Sequence, residues 1–373
     1  MGRRISSSTN IFPKLAVYTS SLVILLCRPT ISSDELIDKT PLFVFGDSLF
    51  DSGMTLYNGV EGAGAEFWPY GFTFFKKPAG RYSDGRVIPD FIAQLSGLPF
   101  FIRPYLLPGL DDYSMGVSFA SASACVLVET RPGTINLMTQ LYYFDKMVQK
   151  LKDQVGEMEG KRLLSKAVYL FNIGGNDYFS LFEENRADLP LSYYQKRNHM
   201  NMILGNLTQH INTIYKQGGR KFAFLNMGPM GCMPSMKFML GYNGTCAEEP
   251  LDVARMHNTA FAALASRLEV HLPGFKYTIY DFFTSLHIRV LHGNSFGFKE
   301  SETACCGNGP FNGGYSCQKK EHSFSVCSSP SDYLWFDAGH PTEKANEQFA
   351  KELWEGGPNI VAPYNLQTIF AMP

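Results

Sequence analysis

Four apolar, β-branched runs, at residues 41–45, 167–173, 221–225 and 275–280, are separated by stretches whose apolar residues recur at helical spacing, and this alternation restricts the available folds more than any other feature. Leu137, Leu141, Phe144, Val148 and Leu151 share one helical face, as do Ile203, Leu207, Ile211 and Ile214, and then Phe261, Leu264 and Leu268. A weaker strand signal covers 115–120. Strand alternating with helix predicts an α/β, three-layer architecture, a mostly parallel sheet with helices on both faces, whose ligands gather at the carboxyl ends of the strands.

The residues at those ends carry the chemistry. The first run stops abruptly in Gly46-Asp47-Ser48, which puts a serine at the mouth of a buried strand. The next strong run leads to Gly174-Gly175-Asn176-Asp177, and the one after it to Gly228-Pro229-Met230-Gly231-Cys232. Near the far end of the chain stands Asp337-Ala338-Gly339-His340. Acyl transfer through serine needs a nucleophile, a base to take its proton, a carboxylate to orient the base, and donors for the oxyanion. Ser48, His340 and Asp337 supply the first three. The backbone N–H of Ser48 at a helix start and the side-chain amide of Asn176 are candidate oxyanion donors. Read alone, Gly-Asp-Ser is equally a helix cap and Asn176 equally a turn residue after two glycines. Asp47 reads as a turn stabiliser.

A second serine, in Gly293-Asn294-Ser295-Phe296-Gly297, fits the Gly-x-Ser-x-Gly pattern, but no convincing strand precedes it and no helix follows, so it reads as a turn. His199, His210, His257, His271, His287, His292 and His322 read as structural or surface residues. No His-Glu-x-x-His or Cys-x-x-Cys spacing occurs, which argues against a metal.

The chain has 373 residues, 45% hydrophobic and 18% charged, enough to bury a large core, and no linker divides it, so residues 34–373 read as one domain. Arg3, Arg4 and Lys14 precede an apolar stretch at 15–27 that is too short to span a bilayer, and the first acidic residue is Asp34. Residues 1–33 therefore read as a secretory signal peptide; the competing reading is an organelle transit peptide. Removing them takes four of the 33 basic residues and none of the 34 acidic ones, leaving 29 against 34. A mildly acidic product without a basic stripe argues against nucleic acid and anionic membranes as partners, and no second apolar span follows. Oligomeric state cannot be read from the chain. Seven cysteines remain, and four of them crowd into a loop-like stretch at 293–331, which predicts three disulfides and one free thiol. Cys305 and Cys306, being adjacent, should each pair elsewhere, Cys232 with Cys246 is a local pair, and Cys125 is the expected free thiol. Asn206-Leu207-Thr208 and Asn243-Gly244-Thr245 are glycosylation acceptors if the chain is exported.

Taken in order, Gly46-Asp47-Ser48-Leu49, Gly175-Asn176-Asp177 and the run from Asp337 through His340-Pro341-Thr342-Glu343 to Asn346 resemble blocks I, III and V of the plant GDSL esterase/lipases, a branch of the SGNH hydrolases. Trp68-Pro69-Tyr70-Gly71, the segment from Gly80 to Arg86, Gly228 to Pro234 and Ala304-Cys305-Cys306-Gly307 each resemble further segments usual in that group. The resemblance implies a flavodoxin-like, five-stranded sheet, a catalytic triad of Ser48, Asp337 and His340, and no metal or organic cofactor; the expected substrate is a small-molecule ester or acyl donor, and removal of the leader is expected to give a secreted, apoplastic product. Block II departs from the pattern. Where the family usually has Gly-x-Asn-Phe-Ala-Ser-Gly-Gly-Ala-Gly, this chain reads Gly116-Val117-Ser118-Phe119-Ala120-Ser121-Ala122-Ser123-Ala124-Cys125, so that Ser123 replaces the glycine whose N–H would join the oxyanion hole. Met54-Thr55 stand where asparagines usually follow Gly53. The expected activity is ester hydrolysis through an acyl-enzyme on Ser48. Transfer of the acyl group to an alcohol is the alternative, and a non-catalytic binding or defence protein is a third reading.

Overall fold

The structure is a computed structural model that describes residues 1–2, 39–59, 64–98, 101–317 and 323–373. The expected leader therefore lies outside the described residues but for its first two, as does His322. In chain order the elements are β1 (Leu42–Gly46), α1 (Ile88–Leu95), β2 (Gly116–Ser118), α2 (Leu137–Val155), α3 (Glu157–Lys166), β3 (Val168–Asn172), α4 (Gly175–Glu184), α5 (Tyr193–Lys216), β4 (Lys221–Leu225), α6 (Pro234–Leu240), α7 (Glu248–His271), β5 (Lys276–Tyr280), α8 (Phe282–Leu291), β6 (Cys306–Gly307), β7 (Ser325–Val326), α9 (Glu343–Glu355), β8 (Val361–Ala362) and α10 (Leu366–Ala371). Every strong run anticipated as a strand is one, and the weak signal at 115–120 contracts to the three residues of β2.

The main sheet runs β2-β1-β3-β4-β5-β8. Its first five strands are parallel, as expected, and the sixth is a correction to the five-stranded picture: Val361 and Ala362 pair antiparallel with Tyr280 and Ile279. Two residues are too short to register as a hydrophobic run, which is why the sequence does not betray them.

Because successive side chains of a strand point to opposite faces, β1 feeds two cores at once. Phe43 and Phe45 pack with the buried faces of α2, α5 and α7, whereas Leu42 and Val44 pack with α1, α8, α9 and α10. On the first face Phe119, Phe45 and Phe171 stack across neighbouring chain segments, with ring centroids 5.1 and 4.9 Å apart. Cross-strand aromatic contacts of this kind hold register, since a one-residue slip would turn every ring to the other face.

The order also fixes where a ligand can sit. From β1 the chain crosses to β2 at the sheet edge, then returns past β1 to β3, so winding reverses between β1 and β3, and a crevice opens beyond their carboxyl ends. Gly46 ends β1 at this point with φ +155°, and a Cβ there would lie 2.3 Å from the carbonyl oxygen of Asn172, so only glycine lets the two strand ends approach this closely.

The cysteine-rich stretch is stapled as anticipated: Cys305–Cys327, Cys306–Cys317 and Cys232–Cys246 are bonded, and Cys125 is free and buried. The backbone N–H groups of Cys305 and Cys306 donate to the carbonyls of Trp335 and Phe336, so the stapled stretch braces the segment that leads to Asp337. Ser295 lies in a short 3₁₀ turn directly after α8, not at a strand end.

Candidate active site

Three elements far apart in sequence deliver Ser48, His340 and Asp337 to the crevice. Ser48 is half-buried in the turn after β1, with the Asp47 carboxylate accepting from the Leu49 N–H at 3.1 Å, which is the turn-stabilising part anticipated for Asp47. Asp337 and His340 occupy a tight turn immediately before α9, where Thr342 caps the helix by accepting from the Ala345 N–H. Nε2 of His340 lies 2.7 Å from Oγ of Ser48, and its Nδ1 lies 2.6 Å from Oδ1 of Asp337. Asp337 is 1% exposed. It accepts from the backbone N–H groups of Gly339 and His340, both at 2.9 Å, and from the Tyr70 hydroxyl at 2.6 Å. Burial by itself pushes the Asp337 carboxyl up, but the neighbouring His340 charge and these donors outweigh it and hold the group below its ordinary value. An ionised Asp337 keeps a proton on Nδ1 of His340 and leaves Nε2 free to take one from a hydroxyl 2.7 Å away.

Around this line the structure gives tasks to residues for which the sequence offered no individual part. The Tyr82 ring lies against His340 with centroids 5.0 Å apart. Two residues on, Asp84 accepts from the Glu343 N–H at 2.8 Å at the start of α9, and Arg86 pairs with the Glu343 carboxylate at 2.6 Å. The segment from Gly80 to Arg86 is thus a support beneath His340. Gln140 of α2 clamps Gly46 from both sides, accepting from its N–H at 3.0 Å and donating to its carbonyl at 2.8 Å.

The loop after β2 carries Ser123, and two buried carboxylates fix it. Asp51 accepts from the N–H groups of Gly53, Met54 and Ala122 and from the Thr55 hydroxyl. Thr55, one of the departures from block I, also accepts from Ala122 N–H at 3.1 Å, so the unusual residue is built into the loop's anchorage. From the other side Asp177 accepts from the N–H groups of Val126 and Leu127, both at 2.9 Å. Burial pushes Asp47, Asp51 and Asp177 each up to about 6. Ser123 itself has φ +60°, the left-handed region that favours glycine.

The three candidate oxyanion donors line one cavity together with Ser48 and His340. The backbone N–H groups of Ser48 and Ser123 donate to no described group. The Asn176 amide is oriented by two bonds, its oxygen accepting from Arg131 at 3.1 Å and its nitrogen donating to the Ala124 carbonyl at 3.0 Å, which leaves one amide N–H over. The cavity measures about 350 Å³, and beside Ser48 and His340 its lining includes the apolar Phe171, Phe224, Met227 and Trp335 and the polar Asn172, Asn226 and Tyr315. Among the described residues, one grouping of metal-type ligands occurs, Cys232, Cys246 and His287, and its two sulfurs are bonded to each other. Asn206 and Asn243 are exposed.

The family described as GDSL-like Lipase/Acylhydrolase matches residues 42–353. The chain is 42% identical over 365 residues to GDSL esterase/lipase 2 of Arabidopsis thaliana, covering 95% of this chain and 96% of that one. It is 40% identical over 361 residues to a GDSL lipase of Tanacetum cinerariifolium, covering 96% and 94%. A third relative, 36% identical over 332 residues and covering 89% and 75%, is named inactive GDSL esterase/lipase-like protein 25 of Arabidopsis thaliana.

Proposed function

From the premise that this chain belongs to the GDSL esterase/lipase family, we propose that it hydrolyses carboxylic esters through an acyl-enzyme on Ser48. The observation that carries this reading is the continuous line from Ser48 Oγ to His340 Nε2 and from Nδ1 to Asp337, beside a cavity large enough for an acyl chain. Ser48 Oγ attacks the ester carbonyl while its proton passes to Nε2 of His340. The oxygen that gains charge faces the N–H groups of Ser48 and Ser123 and the remaining amide N–H of Asn176. Collapse of the adduct breaks the bond to the alcohol, which leaves with the proton from Nε2. Water then attacks the acyl-Ser48 carbonyl, gives its proton to Nε2, and the acid departs as Ser48 recovers its proton.

A second reading, transfer of the acyl group to an alcohol in place of water, draws support from Ser123, whose added side chain stands on the cavity wall beside the acyl carbon's place. The chain from residue 34 acts as one unit. Export is supported by the three disulfides and by the exposed positions of Asn206 and Asn243, which are the proposed glycan sites. Among the described residues no helix is long and apolar enough to cross a membrane.

The test is to incubate the purified protein and its Ser48→Ala variant with activated acyl esters, with and without a competing alcohol, and to quantify free acid and new ester by mass spectrometry. Ser48-dependent free acid whatever the alcohol is the expected result. New ester dominating whenever alcohol is present would replace hydrolysis by transfer, and equal inactivity of both proteins would overturn both readings.

A further inference from the structure

The cavity wall mixes polar and apolar side chains, and one of the polar ones stands among aromatic rings. His257, on α7, forms part of the same wall as Phe261 and Phe224, in the cavity that opens on Ser48 and His340. It is 4% exposed. Its ring is held in three ways: it lies nearly parallel to Phe261 with centroids 6.1 Å apart, it stands edge-on to Tyr178 at 5.5 Å, and its Nδ1 is 2.9 Å from the Tyr178 hydroxyl. The next residue, Asn258, fixes the helix to the segment after β4 by accepting from the Met227 N–H at 2.8 Å and donating to the Met227 carbonyl at 2.9 Å. The imidazole cannot swing away without breaking these contacts.

The hydrogen bond to Tyr178 determines which nitrogen carries the proton. Tyr178 is fully buried, and its hydroxyl has one hydrogen-bond partner among the described residues, Nδ1 of His257. A buried hydroxyl that failed to donate would leave its proton unsatisfied, so the Tyr178 hydroxyl donates and Nδ1 accepts. Burial lowers the His257 pKa to about 4, so the ring is neutral at ordinary pH and carries a single proton. That proton is on Nε2, which makes no hydrogen bond to any described group. The result is one fixed N–H donor, with no acceptor of its own among the described residues, in the cavity wall beside Phe261 and Phe224.

We propose that His257 is a specificity-determining residue, its Nε2–H donating to an oxygen carried on the part of the substrate that enters the chamber, so that the favoured esters have an oxygenated acyl group. This rests on the reading that Ser48 is the nucleophile and the cavity its acyl chamber. A keto, hydroxyl or ether oxygen at the matching distance from the ester carbonyl satisfies the donor, whereas a plain alkyl chain of equal length strips it of water and returns nothing.

The test uses pairs of activated esters of equal chain length, one plain and one bearing a keto oxygen, with the oxygen moved stepwise along the chain. The wild-type protein should favour the keto member at one position by about tenfold or more in kcat/KM. His257→Phe, which keeps a planar ring beside Phe261, should lose that preference, read as the ratio of kcat/KM for the keto and plain esters, a ratio that the amount of folded protein does not change. His257→Gln, which keeps a donor, should retain part of it. No preference in the wild-type protein at any position, or a preference that survives in His257→Phe, would overturn the proposal. Calorimetric binding of the matching keto and plain carboxylic acids to the Ser48→Ala variant separates this from the catalytic reading. A tenfold preference there, with no ester turnover by wild type, would sink the role of Ser48 and leave His257 standing; equal binding of the two acids would sink His257.

Discussion

Ser123 bears two burdens that the family's glycine would not: a left-handed backbone and a side chain on the wall of the reacting centre. A Cβ in that region costs about 1 kcal/mol, partly offset by the greater unfolded-state freedom of glycine. Ser123→Gly is therefore expected to leave the N–H donor in place and to raise the unfolding free energy by up to about 1 kcal/mol in a denaturant titration. A clear loss of stability would mean that the serine side chain makes a contact worth more than the strain. Tyr70 acts on the same centre from further away, through its hydroxyl on Asp337. Removing one charge-assisted hydrogen bond to the carboxylate should cost roughly tenfold in kcat, with KM little changed, when Tyr70→Phe is assayed at steady state. Unchanged kcat would show that the two N–H donors of the Asp337 turn suffice. Ser48, Asp337 and His340 are legible in the sequence because short motifs hold them, and Ser123 because it breaks one. The bond from Tyr70 to Asp337 is not, since it spans 267 residues and no local pattern reports it.

At the level of elements, the loop between β2 and α2 has no regular structure of its own, and buried carboxylates hold it in place of a ladder. Asp51 shows the cost. Burial, outweighing the donors around it, raises its carboxyl from 3.8 to about 6, so between those values the folded protein binds a proton that the unfolded chain does not. The contribution to stability is fully present below about 3.8 and is lost as pH rises through about 6. Asp51→Asn removes that titration. The stability of wild type relative to Asp51→Asn should therefore increase on acidification from pH ~7 to ~4, by roughly 2–3 kcal/mol. A difference that stays flat across that window would mean that Asp51 is ionised throughout. Amphipathic spacing makes α2, α5 and α7 readable in advance, and their anticipated faces are buried. Asp177 sits in a motif singled out from the sequence and Asp51 two residues past another, yet anchoring a loop tens of residues away leaves no periodic trace. The edge strand β8 escapes for a different reason, because two residues carry no pattern.

On the scale of the whole molecule, a parallel sheet that reverses its winding between β1 and β3 opens a crevice at their carboxyl ends, and the chain spends its informative motifs there. The alternation of apolar runs makes the layered architecture legible, and the crowding of cysteines makes the stapled stretch legible. The pairings Cys305–Cys327 and Cys306–Cys317 needed the structure, because adjacent cysteines permit either assignment. That stretch is more than a loop clasp: its backbone bonds to Trp335 and Phe336 brace the approach to Asp337, which ties the last third of the chain to the turn after β1. On the proposed reading, this convergence makes one serine nucleophilic. The most direct test is to treat the intact protein with an alkyl fluorophosphonate, which captures an activated serine, and to map the adduct by peptide mass spectrometry. One adduct per chain is expected, on the peptide containing Ser48, and it should be absent in Ser48→Ala and in His340→Ala. An adduct on Ser295 or another serine, or none on the folded protein, would contradict it.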